Sequence, residues 1–349
     1  MTIVTDAYTY VVGVDTHAAT HQYAIVQAAT GGLIDQAEFP TSAAGLARAV
    51  DWIGRRTGGE VGATLISAEG TRSYGSRLTA LLVQTGYRVV DAPSPKRDRG
   101  SGKNDQIDAV TAARGALPKQ VDRLADARCG ELQATLQTLL TARESMCGER
   151  TRAVNGLNAL LRVHDLGIDA RRKVSRPTIR TIASWRTRRE SLSLLTARAE
   201  AIRLARRVLE LDTAVRQNTI GLRTVITEAH QAVLLDLPGV GPVNAGVVLA
   251  AWSHPGRIRN EAAFAKLGGV CPLEVSSGKS EEHRLNRTGD RQLNRALHSI
   301  AKTRMRYDPG TRAYVERRTN EGLTTPRIRR CLKRYIARQL HRHLEQTAA

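Results

Sequence analysis

The chain has 349 residues, with 53 Lys and Arg against 33 Asp and Glu, a net charge of +20 and a pI of about 10.7. Apolar residues make up 41%, which excludes a wholly disordered chain, and no apolar run approaches the roughly 20 residues of a membrane span. The N-terminus has no basic start followed by an apolar stretch, and the four cysteines form no CxxC pair. We therefore expect a cytoplasmic protein without a signal peptide, a zinc module, a disulfide scaffold or membrane association.

The positive charge is unevenly distributed. Residues 1–120 carry a net charge of +1, whereas residues 121–349 carry +19. Arg outnumbers Lys in the second part, and its guanidinium suits bidentate contact with phosphate. This distribution favours a nucleic acid as the partner of the second part over a basic surface that binds none.

The first third of the sequence alternates apolar, β-branched runs with helical patterns. The predicted strands cover residues 8–14, 21–28, 33–39, 62–68 and 87–91, and the predicted helices cover residues 42–56, 73–85 and a segment from about 104. Three strands in hairpin order, followed by alternating helices and strands, predict a mixed α/β sheet with both faces covered. This order matches that of the ribonuclease H-like fold.

The rest of the chain is expected to be mainly helical. From about residue 120 to 231, leucines at helical spacing predict two long helices, joined by a loop and a short helix near Pro177. This segment is either a plain helical bundle with a basic face or an elongated arm that dimerises and contacts nucleic acid. Further helices are predicted near residues 243–252, 262–267, 291–304 and 325–344.

Four acidic residues occupy related positions in the predicted sheet. Asp15 ends the first strand, Glu69 follows the fourth, and Asp105 and Asp108 lie three apart on the helix after the fifth. The first and fourth strands are neighbours in this fold, so the four carboxylates are expected to converge. Such a cluster repels itself unless it binds hard cations, and two Mg²⁺ ions would also suit phosphoryl transfer. Taken alone, the acids are more simply explained by ordinary roles, with Asp15 capping a turn, Glu69 in a solvated loop and Asp105 in the first turn of a helix.

Two glycine-containing segments of the last third are candidate functional sites for nucleic acid. The segment Pro-Gly-Val-Gly-Pro, with Gly239 and Gly241, resembles the hairpin of a helix-hairpin-helix motif, whose backbone amides bind phosphate. An ordinary helix–turn–helix corner with glycine caps is the alternative. The second segment carries Ser276 and Ser277, followed by three basic residues: Lys279, Arg284 and Arg287. A serine before glycine in a basic loop could be an exposed nucleophile, but no histidine is obviously paired with these serines, so spacing alone favours a flexible loop.

Together these segments resemble the DEDD transposases of insertion sequences, whose relatives include the Piv-type DNA invertases. The similarity runs over nearly the whole chain. It rests on Val-Gly-Val-Asp15 with His17, Ala-Glu69, Lys-Asn-Asp105-Gln-Ile-Asp108, Leu-Pro-Gly239-Val-Gly241-Pro, Ser276-Ser277-Gly278 and Arg287-Thr-Gly289-Asp. The Asp-x-x-Asp and Ser-Ser-Gly segments are the more specific ones. Asn104 and Asn294 stand where the family often has Thr and Arg, which puts local nucleic-acid contacts in doubt.

The resemblance implies three domains: a RuvC-like catalytic domain (1–119), a helical coiled-coil arm (120–231) and a C-terminal transposase domain (232–349). It implies that Asp15, Glu69, Asp105 and Asp108 bind Mg²⁺, and that Ser277, or secondarily Ser276, becomes joined to DNA. The site would be composite, with the acids of one protomer meeting the serine of another in a homo-oligomer, a dimer or a tetramer. A bridge RNA would pair with donor and target DNA.

The resulting prediction is a DNA recombinase that cleaves and exchanges strands without ATP, in keeping with the absence of a GxxxxGK[ST] segment. Two alternatives remain open from the sequence. A RuvC-like nuclease or junction resolvase would use the same acids to activate water. A helix-hairpin-helix architectural protein would bind DNA without cleaving it.

Overall fold

The computed structural model describes residues 2–93, 105–277, 280–284, 286 and 288–348, and only the backbone of residues 105–106, 274–277, 280–284 and 348. The chain divides into two compact units. The first comprises Met1–Gln133 and Ala251–Phe264, and the second comprises Ala134–Ala250 and Ala265–Ala349. The first is built on a mixed α/β sheet, and the second is mostly helical.

The first unit contains a five-stranded sheet with the strand order β3-β2-β1-β4-β5. Its elements, in chain order, are α1 (Val4–Ala7), β1 (Tyr10–Thr16), β2 (Thr20–Gln27), β3 (Leu33–Pro40), α2 (Ala43–Arg56), β4 (Thr64–Ala68), α3 (Ser76–Gln84), β5 (Arg88–Asp91) and α4 (Asp105–Ala116). Strands β1, β2 and β3 pair antiparallel, whereas β4 runs parallel to both β1 and β5. The sheet predicted from the sequence is therefore confirmed, and α1 is an addition to it.

The sheet is covered on both faces, as the continuous apolar runs predicted. Alternate residues of β1 belong to two separate cores, with Val12 and Val14 in one and Val11 in the other. The first core also contains residues of α2 and α3, and the second contains Ala113 and Ala116 of α4. A strand buried on both sides reads as an unbroken apolar segment, because neither face needs polar residues.

Two long helices begin the second unit, α5 (Glu131–Val163, 33 residues) and α7 (Leu192–Glu228, 37 residues). Between them lies α6 (Arg176–Ala183), the predicted short helix, which has Pro177 in its first turn. Arg143 of α5 donates to Thr219 of α7 (2.8 Å), and Arg150 of α5 is ion-paired with Asp212 of α7. The residue numbers rise along one helix as they fall along the other, which shows that the two long helices run antiparallel. A shared core, from Ala153 to Val208, includes two residues of α6.

The remaining elements are α8 (Pro242–Trp252), α9 (Glu261–Leu267), β6 (Leu273–Ser277), β7 (Ser280–Arg284), α10 (Arg291–Tyr307), α11 (Pro309–Asn320) and α12 (Thr325–Ala348). Four of these helices match the predicted ones, and α11 is an addition. The pair β6–β7 is an antiparallel hairpin in which Ser277 is opposite Ser280. The segment with Ser276 and Ser277 is therefore part of a strand rather than of a flexible loop. Within the described residues, no helix is both long and apolar enough to cross a membrane.

Candidate active site

Two of the predicted acidic residues lie at the same edge of the sheet. Val14 of β1 is paired with Ala68 of β4 in the parallel register, and Asp15 of β1 and Glu69, just after β4, are the residues that follow this pair. The Glu69 backbone amide donates to the Val14 carbonyl oxygen (2.9 Å), which continues the ladder past the end of β4. Carboxyl ends of parallel strands are a common place for ligand-binding residues.

Helix α4 packs directly against the middle of β1 and β4. The carbonyl oxygen of Ala109 lies only 1.9 Å from the position that a β-carbon on Gly13 would take. On the neighbouring strand, the Ser67 hydroxyl donates to the carbonyl oxygen of Ala112 (2.7 Å). Small side chains permit this close approach of backbones.

This packing brings Asp108 towards the same edge. Asp108, which is half-buried, immediately precedes Ala109, and Ala109 contacts β1 two residues before Asp15. Asp105 is the first residue of α4. Its side chain lies outside the part that the structure describes.

Asp15 is buried and has a defined partner. It is 6% exposed, and its Oδ2 accepts a hydrogen bond from Nε2 of His17 (3.0 Å), whose side chain is 41% exposed. The neighbouring His21 is buried, and burial lowers its pKa. A hydrogen bond with the Thr20 backbone opposes this shift in part, and the nearby His17 adds to it. His17 thus fixes the orientation of one carboxylate from the solvent side.

The turn after Glu69 is fitted closely against Thr16. The Thr16 hydroxyl donates to the Glu69 carbonyl oxygen (3.1 Å). Gly70 has a φ of +58°, and a β-carbon on it would lie 2.4 Å from the Thr16 hydroxyl oxygen. The positive φ and the close contact both require glycine, so the path of the chain next to Glu69 is fixed.

A third strand of the parallel set also ends in an acid, which the sequence analysis did not single out. Asp91 ends β5 and is paired with Ala68 in the register, and it accepts a hydrogen bond from the Thr71 hydroxyl. The available signal was its position, since the predicted strand 87–91 stops at this residue. Its bond to Thr71 gives Asp91 a structural task in the turn that follows Glu69.

The described residues do not form a complete metal site. Among them, no three His, Cys, Asp or Glu side chains are close enough to hold one ion, and the carboxylate of Asp105 is not part of that set. The donors available at this edge are carboxylate oxygens, which are the ligands that Mg²⁺ prefers. The chemistry of the donor set thus fits a hard divalent cation.

The segment with Gly239 and Gly241 joins the long α7 helix region to α8. Gly239 has a φ of +76°. A β-carbon on Gly239 would lie 3.1 Å from the carbonyl oxygen of Ile300 in α10, so the two backbones are closely packed. The Arg304 side chain donates to the Pro238 carbonyl oxygen (2.7 Å). Gly239 therefore serves the turn and the close packing of α10, while Gly241 has open space beside it just before α8.

The hairpin β6–β7 has a tightly built base. Gly269 (φ +63°) and Gly289 (φ +102°) flank it, and a β-carbon on either would collide with backbone oxygens of the other side. Asn294 of α10 donates to the Gly268 carbonyl oxygen (2.6 Å) and accepts from Lys333 of α12 (2.8 Å). Asn294, where the resembled family often has Arg, thus joins the base of the hairpin to two helices.

The remaining predicted residues of this region lie partly outside the description. Ser276 and Ser277 are the last two residues of β6, and Arg284 is the last of β7, but their side chains are not described. Lys279 and Arg287 lie outside the described residues altogether.

Two family models match the chain. The transposase model of the IS110 DEDD type matches residues 12–164, and the model of the IS116/IS110/IS902 transposase family matches residues 231–316. The 42 kDa protein of insertion element IS900 from Mycobacterium paratuberculosis is 26% identical over 300 residues, covering 70% of this chain and 73% of that protein. The 44.8 kDa protein of IS116 from Streptomyces clavuligerus is 25% identical over 295 residues, with the same coverage. The 43.6 kDa protein of IS110 from Streptomyces coelicolor is 36% identical over 119 residues, 32% of this chain and 29% of that protein.

Proposed function

Because the chain belongs to the IS110-type family of insertion-element transposases, we propose that it cuts and rejoins DNA through a metal-binding acidic site and a serine nucleophile. The observation that carries the proposal is the alignment of Asp15 and Glu69 at the ends of two paired parallel strands, beneath the helix that bears Asp105 and Asp108.

The first unit is proposed to be a ribonuclease H-like, RuvC-like catalytic domain. Support comes from the strand order β3-β2-β1-β4-β5, with three antiparallel strands followed by two parallel ones, and from α4 lying across β1. The three-domain division at residues 119 and 231 remains part of the same proposal.

Asp15, Glu69, Asp105 and Asp108 are proposed to hold Mg²⁺. His17 orients Asp15 through its 3.0 Å bond, and the Thr16–Glu69 bond fixes the turn that presents Glu69. When bound, the divalent ions supply stabilisation of the negative charge that develops on a transferring phosphate. The protein's own contribution is to place the four carboxylates on two strand ends and one helix.

Ser277, or Ser276, is the proposed nucleophile. The serine oxygen forms a bond to a DNA phosphorus as the bond from that phosphorus to the 3′ oxygen breaks. The proton lost by the serine hydroxyl is balanced by the proton that the released 3′ oxygen gains when it becomes a hydroxyl. The phosphoserine keeps the energy of the phosphodiester, so attack by another 3′ hydroxyl rejoins DNA without ATP. A hydroxyl needs activation because of its high pKa, and the basic residues Lys279, Arg284 and Arg287 are the proposed electrostatic aids.

The partners proposed are donor and target DNA, a bridge RNA and a second copy of the chain. The +19 charge of residues 121–349 supports a polyanionic partner for that part, with Gly241 at the start of α8 as one phosphate contact. A homo-oligomer would let the acids of one protomer meet the serine of another.

The test is to trap the covalent intermediate. We would incubate the full-length chain with DNA carrying the ends of its element, with candidate RNA transcribed from the flanking sequence, in Mg²⁺ or in EDTA. The linked peptide is then mapped by mass spectrometry. We expect a DNA adduct at Ser277 in Mg²⁺, none in EDTA, and none with Ser277→Ala or with Asp15→Ala.

Other outcomes would change the assignment. An adduct at Ser276 moves the nucleophile by one residue. Cleavage in Mg²⁺ with no adduct on either serine supports the water-using nuclease, and binding without any cleavage supports the architectural protein. An adduct that forms equally well without the bridge RNA contradicts guidance by RNA.

A further inference from the structure

Helices α10 and α12 pack against each other and are almost devoid of acidic residues. The sequence of α10 contains no Asp or Glu, and Glu345 near the end of α12 is the single acid in that helix. Both helices are rich in Arg, Lys and His. Like charges held close together repel each other, so a surface formed by two such helices favours the binding of anions.

Four of these basic side chains cluster on the facing sides of the two helices. On α10, His298 and Lys302 are four residues apart, and on α12 Arg329 and Lys333 are four residues apart, so each pair shares one helix face. Lys333 donates to Asn294 of α10 (2.8 Å), which joins the two helices one turn before His298. We call these four residues, His298, Lys302, Arg329 and Lys333, the cationic cluster.

The charges inside the cluster act on one another. Burial lowers the pKa of His298, and the nearby Lys333, Arg329 and Lys302 lower it further. Burial likewise lowers the pKa of Lys333, and Arg329 adds to the effect. All the charged groups that shift these two pKa values are therefore cations.

One donor of the cluster also lacks an acceptor. The Nε atom of Arg329 is buried and makes no hydrogen bond in the structure. A buried donor without an acceptor is destabilising, and a bound anion would supply both an acceptor and negative charge.

We propose that the cationic cluster binds phosphate groups of the DNA backbone. The assignment of DNA as the source of the phosphates rests on the proposed function. Residues four apart on a helix are separated by about 6 Å along its axis, and phosphates of one DNA strand follow each other every 3.4 Å along the duplex axis. Two basic residues of one helix therefore match two phosphates that lie two steps, about 7 Å, apart along one strand. Contacts of this kind hold DNA in position without reading its sequence.

The test compares two double variants of the full-length chain. Arg329→Gln/Lys333→Gln removes two charges of the cluster, and Arg203→Gln/Arg207→Gln removes two charges of α7 that are already ion-paired with glutamates. Affinity for a fluorescent DNA duplex is measured by anisotropy between about 50 and 300 mM salt. Each lost phosphate contact reduces the slope of log affinity against log salt by about 0.9, so two contacts correspond to about 30-fold in affinity at 0.15 M salt.

We expect the 30-fold loss and the smaller slope in the cluster variant and little change in the control, and we expect Lys333→Arg to retain both the affinity and the slope. Equal affinity and slope in both double variants would overturn the proposal. If affinity falls for RNA of the same length but not for duplex DNA, the phosphates belong to RNA and the assignment to DNA is wrong.

A second measurement guards against misfolding of the cluster variant. In the unaltered chain, the imidazole signals of His298 are followed by NMR over pH with and without duplex DNA, after assignment with His298→Gln. Binding of phosphate beside His298 should raise its pKa, whereas an unchanged pKa in the presence of saturating DNA contradicts the proposal. Failure of the proposed function would be recognised separately, as DNA binding with an intact cluster but no covalent adduct.

Discussion

Gly13 is the residue on which the close packing of α4 beside the proposed acidic site depends most directly. A β-carbon at this position would lie 1.9 Å from the Ala109 carbonyl oxygen, 2.6 Å from the Ala113 amide nitrogen and 2.9 Å from the Ala113 β-carbon. Ordinary contacts need roughly 3.4 Å or more, so Gly13→Ala forces α4 away from β1 by about 1.5 Å. Two of the three obstructing atoms are backbone, and no side-chain rotation can relieve them.

The displacement has a cost in stability and a cost in chemistry. Overpacking of this kind costs typically 1–3 kcal/mol, and we expect the upper end, about 3 kcal/mol, which corresponds to about 6–12 °C in the melting temperature of a unit of this size. A 1 Å misplacement of catalytic groups can reduce a rate by about 100-fold. We therefore expect loss of DNA cleavage even at temperatures at which the variant remains folded.

The assays are thermal unfolding by circular dichroism and Mg²⁺-dependent formation of the covalent DNA adduct. Gly62→Ala is the matched control, because Gly62 has no positive φ and open space around it, so its substitution should change stability by less than about 0.5 kcal/mol. A Gly13→Ala protein with the melting temperature and the adduct yield of the unaltered chain would show that α4 does not depend on close approach to β1.

Three further predictions follow from the contacts around the site and in the second unit. His17→Ala should reduce adduct formation about 10- to 100-fold with little change in melting temperature, because groups that orient metal ligands have effects of this size. His17→Gln should restore part of the lost adduct formation, and full activity of His17→Ala would refute the positioning role. Asn294→Ala leaves the Gly268 carbonyl oxygen without its 2.6 Å donor and should lower the melting temperature of the second unit by about 2–12 °C, from about 1–3 kcal/mol; an unchanged melting curve would contradict this account. Asp308 caps α11 by accepting hydrogen bonds from the Thr311 hydroxyl and from its backbone amide (2.8 Å), and these bonds hold the pKa of Asp308 below the usual value. The cap should therefore stabilise the protein fully above the pKa of Asp in the unfolded chain, about 4, and the stabilisation should be lost as the pH falls through the lower pKa of the folded chain. Carbon NMR of the Asp308 carboxyl group tests this, because an undepressed pKa would show that the cap is absent in solution.

The parts of the fold that the sequence predicted are those in which hydrophobic pattern and burial agree. Strands β1, β4 and β5 are buried runs of apolar residues, and the helices between them have one apolar face, so each element is recognisable alone. The positions of Asp15 and Glu69 followed from the order of these elements, because strand order determines which ends are neighbours. The pattern predicted that the first strand ends at Asp15, whereas β1 continues through Asp15 to Thr16.

The hairpin β6–β7 could not be predicted in this way. Its strands, with the sequences LEVSS and SEEHR, contain few β-branched or aromatic residues and no regular alternation that would indicate one buried face. What supports it structurally is at its base, where Gly269 and Gly289 allow two backbone segments to approach and Asn294 donates to the Gly268 carbonyl oxygen. These contacts join residues about 20 or more positions apart, and no local pattern records them.

The same distinction applies within the acidic site itself. The four proposed metal ligands stand out in the sequence because carboxylates suit metal chemistry, whereas the residues that let α4 approach β1 are glycine and alanine. Gly13 on β1 faces Ala109 and Ala113 on α4, and Ser67 donates to the Ala112 carbonyl oxygen. A run of small residues on a helix is compatible with any surface, so only the packed structure identifies which strand it contacts. Because the distance between α4 and β1 sets the distance between Asp108 and Asp15, the geometry of the proposed metal site depends on these small residues as much as on the acids.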